Sequence, residues 1–108
     1  MNTDDILKQR GKEYGPFISN AETTQDMYQA ALNGDNAIML KSIHKEAIHM
    51  ICHKISRIVN GNCNNSDSWD DIAGYAKLVA NHLKERNDPI VKFPPKTPMF
   101  SDETRNED

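Results

Sequence analysis

Apolar side chains recur at three- and four-residue steps through most of the first 86 residues, the spacing that places them on one face of an α-helix. The run is clearest from Ser42 onward, where Ile43, Ala47, Ile48, Ile51, Cys52, Ile55, Ile58 and Val59 form one arc before Asn60 and Gly61 supply a stop. Ser42 is the expected cap of this third helix. A polar loop from Asn60 to Ser66 leads into a fourth helix that starts at Ser66 or Ser68. Ser68 with Asp71 three residues later has the spacing of a capping pair. Trp69, Ile72, Ala73, Ala76, Val79, Ala80 and Leu83 make its principal apolar stripe. Tyr75 and Leu78 interrupt the opposite face, and Gly74 removes bulk there, so this helix is expected to meet a partner on two sides. A homodimer or higher homo-oligomer is the expected source of the second contact.

Ahead of this pair, a short helix is predicted over 4–12 with Thr3 as its cap, and a second from about Asn20 to Leu32, ended by Asn33, Gly34, Asp35 and Asn36. Between them Gly11 and Gly15 frame a turn, and Pro16 disfavours helical geometry at Gly15. After Arg86 the character changes: Pro89, Pro94, Pro95 and Pro98 resist helix, Ile90, Val91 and Phe93 suit a short extended segment, and the end is acidic. The expected fold class is therefore all-α, a small helical bundle centred on an antiparallel helix pair, with a short N-terminal helix and a proline-rich C-terminal tail. Residues 1–86 form the expected helical domain and 87–108 the tail.

At 108 residues the chain can bury one modest core. Its formal charge of −3 is spread along the sequence, with no basic stripe of the kind that tracks a nucleic-acid backbone. The start, MNTDDILKQR, lacks the basic and apolar segments of a secretory signal, and no apolar run is long enough to span a bilayer. A cytoplasmic location without membrane contact is expected. Cys52 falls in the apolar arc of the third helix and Cys63 in the loop, which is not a disulfide framework or a zinc-ligand pattern.

The chemistry concentrates on the helix pair. Asp67 and Asp71, four residues apart, share one helical face, with Asp70 to one side. Acids in the first turn of a helix also answer its dipole. Glu46 lies on the polar side of the third helix together with His53 and Arg57, and a short-loop return brings that helix beside the fourth. Carboxylates from two helices suit Mg²⁺, which takes hard oxygen ligands and engages substrate phosphate. Glu46, Asp67 and Asp71 are the candidate metal ligands, and with His53, as an orienter of water, the candidate catalytic set. Lys54 and Arg57 are candidate phosphate contacts, Arg57 through its fork of donors. His49 and His53 are four apart but lack the adjacent glutamate of a zinc-protease helix. Ser56 and Ser68 have no nucleophile-elbow setting.

The segment RGKEYGPF, from Arg10 to Phe17, admits two readings. Tyr14 and Phe17 anchor a turn that Gly11 and Gly15 let pass close to the bundle, or Arg10, Lys12 and Tyr14 close a nucleotide pocket.

RGKEYGPF, HKISRIVNG from His53 to Gly61, and DSWDDIAGYAKLV from Asp67 to Val79 together resemble a family of small phage and prophage proteins known as a domain of unknown function, over roughly the first 86 residues. The last segment also resembles one half of the all-α MazG-like nucleoside triphosphate pyrophosphohydrolases. That second resemblance implies Mg²⁺ held by carboxylates of neighbouring helices and cleavage to monophosphate and pyrophosphate. By it, Asp67 and Asp71 match the later helix's acidic pair, Glu46 a member of the earlier helix's group, and Lys54 and Arg57 phosphate contacts. The departure is on the third helix, where Glu46 is the one acid between Lys45 and Arg57.

These readings give two expectations of different class. One is a Mg²⁺-dependent nucleotide-binding protein that hydrolyses a nucleoside triphosphate. The alternative is a noncatalytic phage accessory protein that binds and modulates a host protein. Either would act in the host cytoplasm during infection or prophage expression.

Overall fold

The apolar periodicity resolves, in a computed structural model that describes residues 2–86, into four α-helices and one 3-10 turn, with no β-strand among the described residues: α1 (Thr3–Tyr14), α2 (Phe17–Leu32), the turn Ala37–Met39, α3 (Ser42–Asn60) and α4 (Ser66–Arg86). The all-α expectation holds. The expected proline-rich tail and its extended segment lie outside the described residues.

Helix ends follow local chemistry, and they differ from the expected caps. Asn2, not Thr3, caps α1: its Oδ1 accepts the Asp5 N–H at 2.9 Å, satisfying one of the first-turn amides. The helix runs two residues further than expected and stops at Gly15, whose φ of 88° is open to glycine. Pro16 precedes α2, and its carbonyl accepts the Asn20 N–H at 3.0 Å, so α2 starts at Phe17 rather than Asn20. Lys41, not Ser42, is the N-cap of α3, and its N–H donates to His44 Nδ1 at 2.9 Å. On α4 the capping partner is Asn65, whose Oδ1 accepts the Asp67 N–H at 2.9 Å. Ser68 is buried inside the helix instead.

α3 is the middle of the bundle, packing against α2 and α4, with a smaller contact to α1. Its seam is made of small side chains. Ala47, Cys52 and Ile58 are the buried apolar residues, and Asn20, Thr24, Ser56 and Ser68 are buried with them. Small residues at a helix contact favour a shorter interaxial distance. Ser56, fully buried, donates its hydroxyl to the His53 carbonyl at 2.6 Å.

The face of α4 that packs is rotated from the expected stripe. Ser68, Ile72, Tyr75, Val79 and Leu83 are covered, whereas Ala73 and Ala76 are exposed and Trp69 is 54% exposed. Alanine contributes little apolar area, so Tyr75, half-buried at the edge of the packed face, is covered where Ala73 and Ala76 were expected to be. Trp69 instead lies over the preceding loop, its Nε1 donating to the Cys63 carbonyl at 3.0 Å. Leu78 is 64% exposed, with no second helix covering it among the described residues. Among the described residues no helix is long and apolar enough to cross a membrane.

Candidate functional site

A close crossing of two backbones builds the site. The turn after α1 passes directly over the end of α3, where a Cβ on Gly15 would stand 2.6 Å from the Asn60 carbonyl oxygen and one on Gly61 2.5 Å from the Tyr14 carbonyl carbon. The Asn62 N–H donates to the Glu13 carbonyl at 2.8 Å. Around this crossing lies a lattice of amides. Asn20 Nδ2 donates to the Tyr14 carbonyl at 2.8 Å, Asn60 Nδ2 donates to Asn20 Oδ1 and Thr23 Oγ1, both at 3.1 Å, and Glu13 Oε2 accepts from Asn62 at 3.0 Å and Asn65 at 2.8 Å. Asn20 is buried and bonded through both its Nδ2 and its Oδ1, which fixes orientation strongly and ties the α1–α2 turn to α3 by polar contacts.

That clamp presents Tyr14 to α3. The Arg57 guanidinium lies 4.5 Å from the Tyr14 ring centroid and the Arg10 guanidinium 5.2 Å, both within cation–π range. Beside them opens a cleft of about 340 Å³ bordered by Arg10, Tyr14, Phe17, Asn20, His53 and Arg57. Every charged or titratable group in that lining other than the tyrosine is basic. Neither arginine has a carboxylate within ion-pair distance among the described residues. His53 reports the resulting field: burial, then Arg57, Lys54 and His49, push its pKa below the ordinary histidine value.

The structure thus brings together four of the nine expected site residues, Arg10, Tyr14, His53 and Arg57. The others stand elsewhere. Lys12 is exposed on α1 and does not border the cleft. Lys54 extends to Asp71 on α4, Nζ to Oδ2 at 3.1 Å, with its side chain 12% and that of Asp71 49% exposed. Asp67 is exposed in the first turn of α4, four residues or about 6 Å of helix before Asp71. Glu46 is exposed on α3, eight residues or about 12 Å before Lys54. Among the described residues no three His, Cys, Asp or Glu side chains form a group that could hold a metal ion. Of the three expected metal ligands, Asp71 is paired with Lys54, and Glu46 and Asp67 are exposed on α3 and α4.

His49 turns away from His53 toward α2, stacked on Tyr28 with ring centroids 4.6 Å apart and with Nε2 3.2 Å from Gln25 Nε2. Cys52 is buried, which pushes its thiol pKa up, the opposite of an activated nucleophile.

Glu13, Asn20, Asn60 and Gly61 shape the site without having been expected to. Asn20 and Asn60 read as helix boundary residues, and Gly61 as a simple stop. The signal available was the pairing of two glycines at two helix ends, Gly15 ahead of Pro16 and Gly61 between Asn60 and Asn62.

A protein-family model described as a domain of unknown function (DUF6378) matches residues 2–83. The chain belongs to this family. The three segments that carried the expected resemblance, RGKEYGPF, HKISRIVNG and DSWDDIAGYAKLV, all fall inside the matched span, and so do both sides of the DUF6378 cleft, α1 and α3. No curated protein and no solved structure matches the chain.

Proposed function

We propose that this protein binds a nucleotide, with the phosphates seated between Arg10, His53 and Arg57. One observation carries the reading: two arginines with no carboxylate partner among the described residues converge on a single tyrosine ring in a cleft whose charged lining is basic. A guanidinium stacked on an aromatic face keeps its N–H edge free, and that edge matches two phosphate oxygens. Tyr14 is then a platform that orients arginines rather than a surface for the base. Phe17, on the cleft border and 80% exposed, is the stacking partner we assign to the base. A cleft of about 340 Å³ is within the range that holds small ligands.

The sequence resemblance to MazG-like enzymes supports a nucleotide as the ligand class. It also implies Mg²⁺ and hydrolysis; with Asp71 paired to Lys54, the proposal is of binding and takes no catalytic step through a metal. The accessory role on a host protein is the competing class, and it predicts no nucleotide signal.

Calorimetric titration with a panel of nucleoside triphosphates and with pyrophosphate, each with and without Mg²⁺, tests this. Saturable binding is expected for at least one nucleotide. Arg57→Ala and Arg10→Ala should each weaken it by about ten- to a hundredfold, the worth of a hydrogen bond to a charged group, with unchanged helical circular dichroism. A folded wild-type chain that binds none of them, or arginine variants that bind as well as wild type, would overturn it.

A further inference from the structure

The outward face of α4 has a pattern that the nucleotide reading leaves unused. A groove of about 550 Å³ runs along it, bordered by Asp70, Asp71, Gly74, Tyr75, Lys77 and Leu78. Leu78 is 64% exposed there. A Cβ built on Gly74 would meet nothing within 4 Å, so the helix backbone itself is approachable at the middle of the groove. The charges are sorted by position. Asp67, Asp70 and Asp71 occupy the N-terminal side of Gly74, and Lys77, Lys84 and Arg86, with Glu85 the one acid among them, occupy the C-terminal side.

We propose that this face pairs with the same face of a second copy of the chain, the two α4 helices running antiparallel and crossing at Gly74. A helix that is negative before a central glycine and positive after it is complementary to its own reversed copy. A two-fold axis at Gly74 sets residue 71 opposite 77 and residue 70 opposite 78 of the other copy, and the second half of the interface repeats the first. Each Lys77 then approaches Asp70 and Asp71 of the second copy, and each Leu78 enters the space left by Gly74 and the aliphatic flanks of those aspartates. A parallel pairing would instead oppose acids to acids and bases to bases, which is disfavoured. Charge therefore selects both the occupant and its direction. The contact lies on α4, away from the α1–α3 cleft, and does not depend on nucleotide binding.

Light scattering after size exclusion on the full chain, with crossed charge variants, tests the pairing. Wild type is expected at twice the 12.3 kDa chain mass, and Leu78→Asp at the single mass with retained helical circular dichroism. Asp70→Lys alone and Lys77→Glu alone should each weaken self-association, because each puts like charges together twice. An equimolar mixture of the two should recover dimer relative to either alone, since in the mixed pair the two introduced charges meet each other and the other half of the interface keeps Lys77 against Asp70 and Asp71, leaving one like-charge approach, to Asp71, where each variant alone has two. These surface changes keep the test open if Leu78→Asp proves unstable. A monomeric wild type would overturn the proposal, including one that instead binds a host protein through this face. So would a dimer indifferent to all three substitutions, or charge variants whose mixture fails to recover.

Discussion

Gly15 and Gly61 each occupy the space in which the other strand's backbone runs. A methyl group on Gly61 would lie 2.5 Å from the Tyr14 carbonyl carbon and 2.6 Å from the Glu13 carbonyl oxygen, and one on Gly15 would lie 2.6 Å from the Asn60 carbonyl oxygen. Backbone atoms cannot swing aside as a side-chain tip can. Gly61→Ala should therefore destabilise the fold by about 1–3 kcal/mol, the usual cost of overpacking, and should loosen the cleft at the same time. Gly15→Ala should cost at least as much, because its φ of 88° adds backbone strain. Gly11→Ala is the contrast: it sits inside α1 with open space around it, so it should stabilise by roughly 0.5–1 kcal/mol through helix propensity. Thermal or urea unfolding of the three variants measures the difference, and equal effects would contradict this reading of the crossing.

The ion pair between Lys54 and Asp71 is uneven, with the lysine largely covered and the aspartate half exposed. Such a pair should be worth less than about 1 kcal/mol in a double-mutant cycle, since solvent screens the open partner. The single changes should differ in kind. Asp71→Asn leaves a mostly covered ammonium without its partner and should destabilise, whereas Lys54→Met keeps the stem over the helix seam and should be close to neutral. A coupling of several kcal/mol, or a Lys54→Met variant that fails to fold, would show that α3 and α4 rely on this pair far more than its exposure implies.

His53 should make stability depend on pH in a defined direction. Its folded pKa lies below the ordinary value of 6.5, through burial and then Arg57, Lys54 and His49, and Arg10 borders the same cleft. The native state therefore prefers neutral His53, and the unfolded chain takes up the proton first as pH falls. This contribution is intact above about pH 6.5, and stability declines as pH drops through that value toward the folded pKa. His53→Gln should flatten this part of the profile. A phosphate-bearing ligand beside the ring would favour the charged form, so binding should take up a proton and tighten between pH 8 and pH 6. Titration of the His53 ring by NMR, with and without pyrophosphate, would show an upward shift on binding; a shift downward or none would place the ligand elsewhere.

Much of the bundle was legible because it rests on periodicity. Ile43, Ile51, Ile55 and Ile58 fall where an apolar arc must, and Asn60 with Gly61 closes it. Less visible was the packed seam, since Thr24, Ser56 and Ser68 read as polar and are buried for their small volume, not their chemistry. Counting Ala73 and Ala76 as equals of Tyr75 rotated the packing face of α4. At the site, the residue types were readable and their grouping was not. Arg10, Tyr14 and Arg57 meet because Gly15 and Gly61 let two backbones touch, a relation between positions 46 residues apart that no local pattern encodes. Glu46, Asp67 and Asp71 shared a chemistry, but the pairing of Asp71 with Lys54 across α3 and α4 is a relation that the spacing of acids does not encode.

One experiment divides the cleft from the carboxylates. If phosphates sit on Arg10 and Arg57, the ligand is held by cations, and Glu46→Gln, Asp67→Asn and Asp71→Asn should leave metal-free nucleotide affinity within about threefold of wild type, or raise it slightly by removing negative charge. Mg²⁺ should then change affinity only as far as it screens the ligand's own charge. Were the carboxylates to gather around a metal when nucleotide binds, Asp71 would have to leave Lys54, and Glu46, eight residues or roughly two helical turns before Lys54, would have to be brought to it. Affinity would then depend steeply on Mg²⁺, the three neutralised variants would lose that dependence together, and phosphate-product analysis would detect pyrophosphate release. Calorimetry on the six combinations of these three variants with and without Mg²⁺ reads the two outcomes apart. Loss of metal-free binding in the carboxylate variants, with Arg57→Ala unaffected, would move the site from the α1–α3 cleft to the α3–α4 surface.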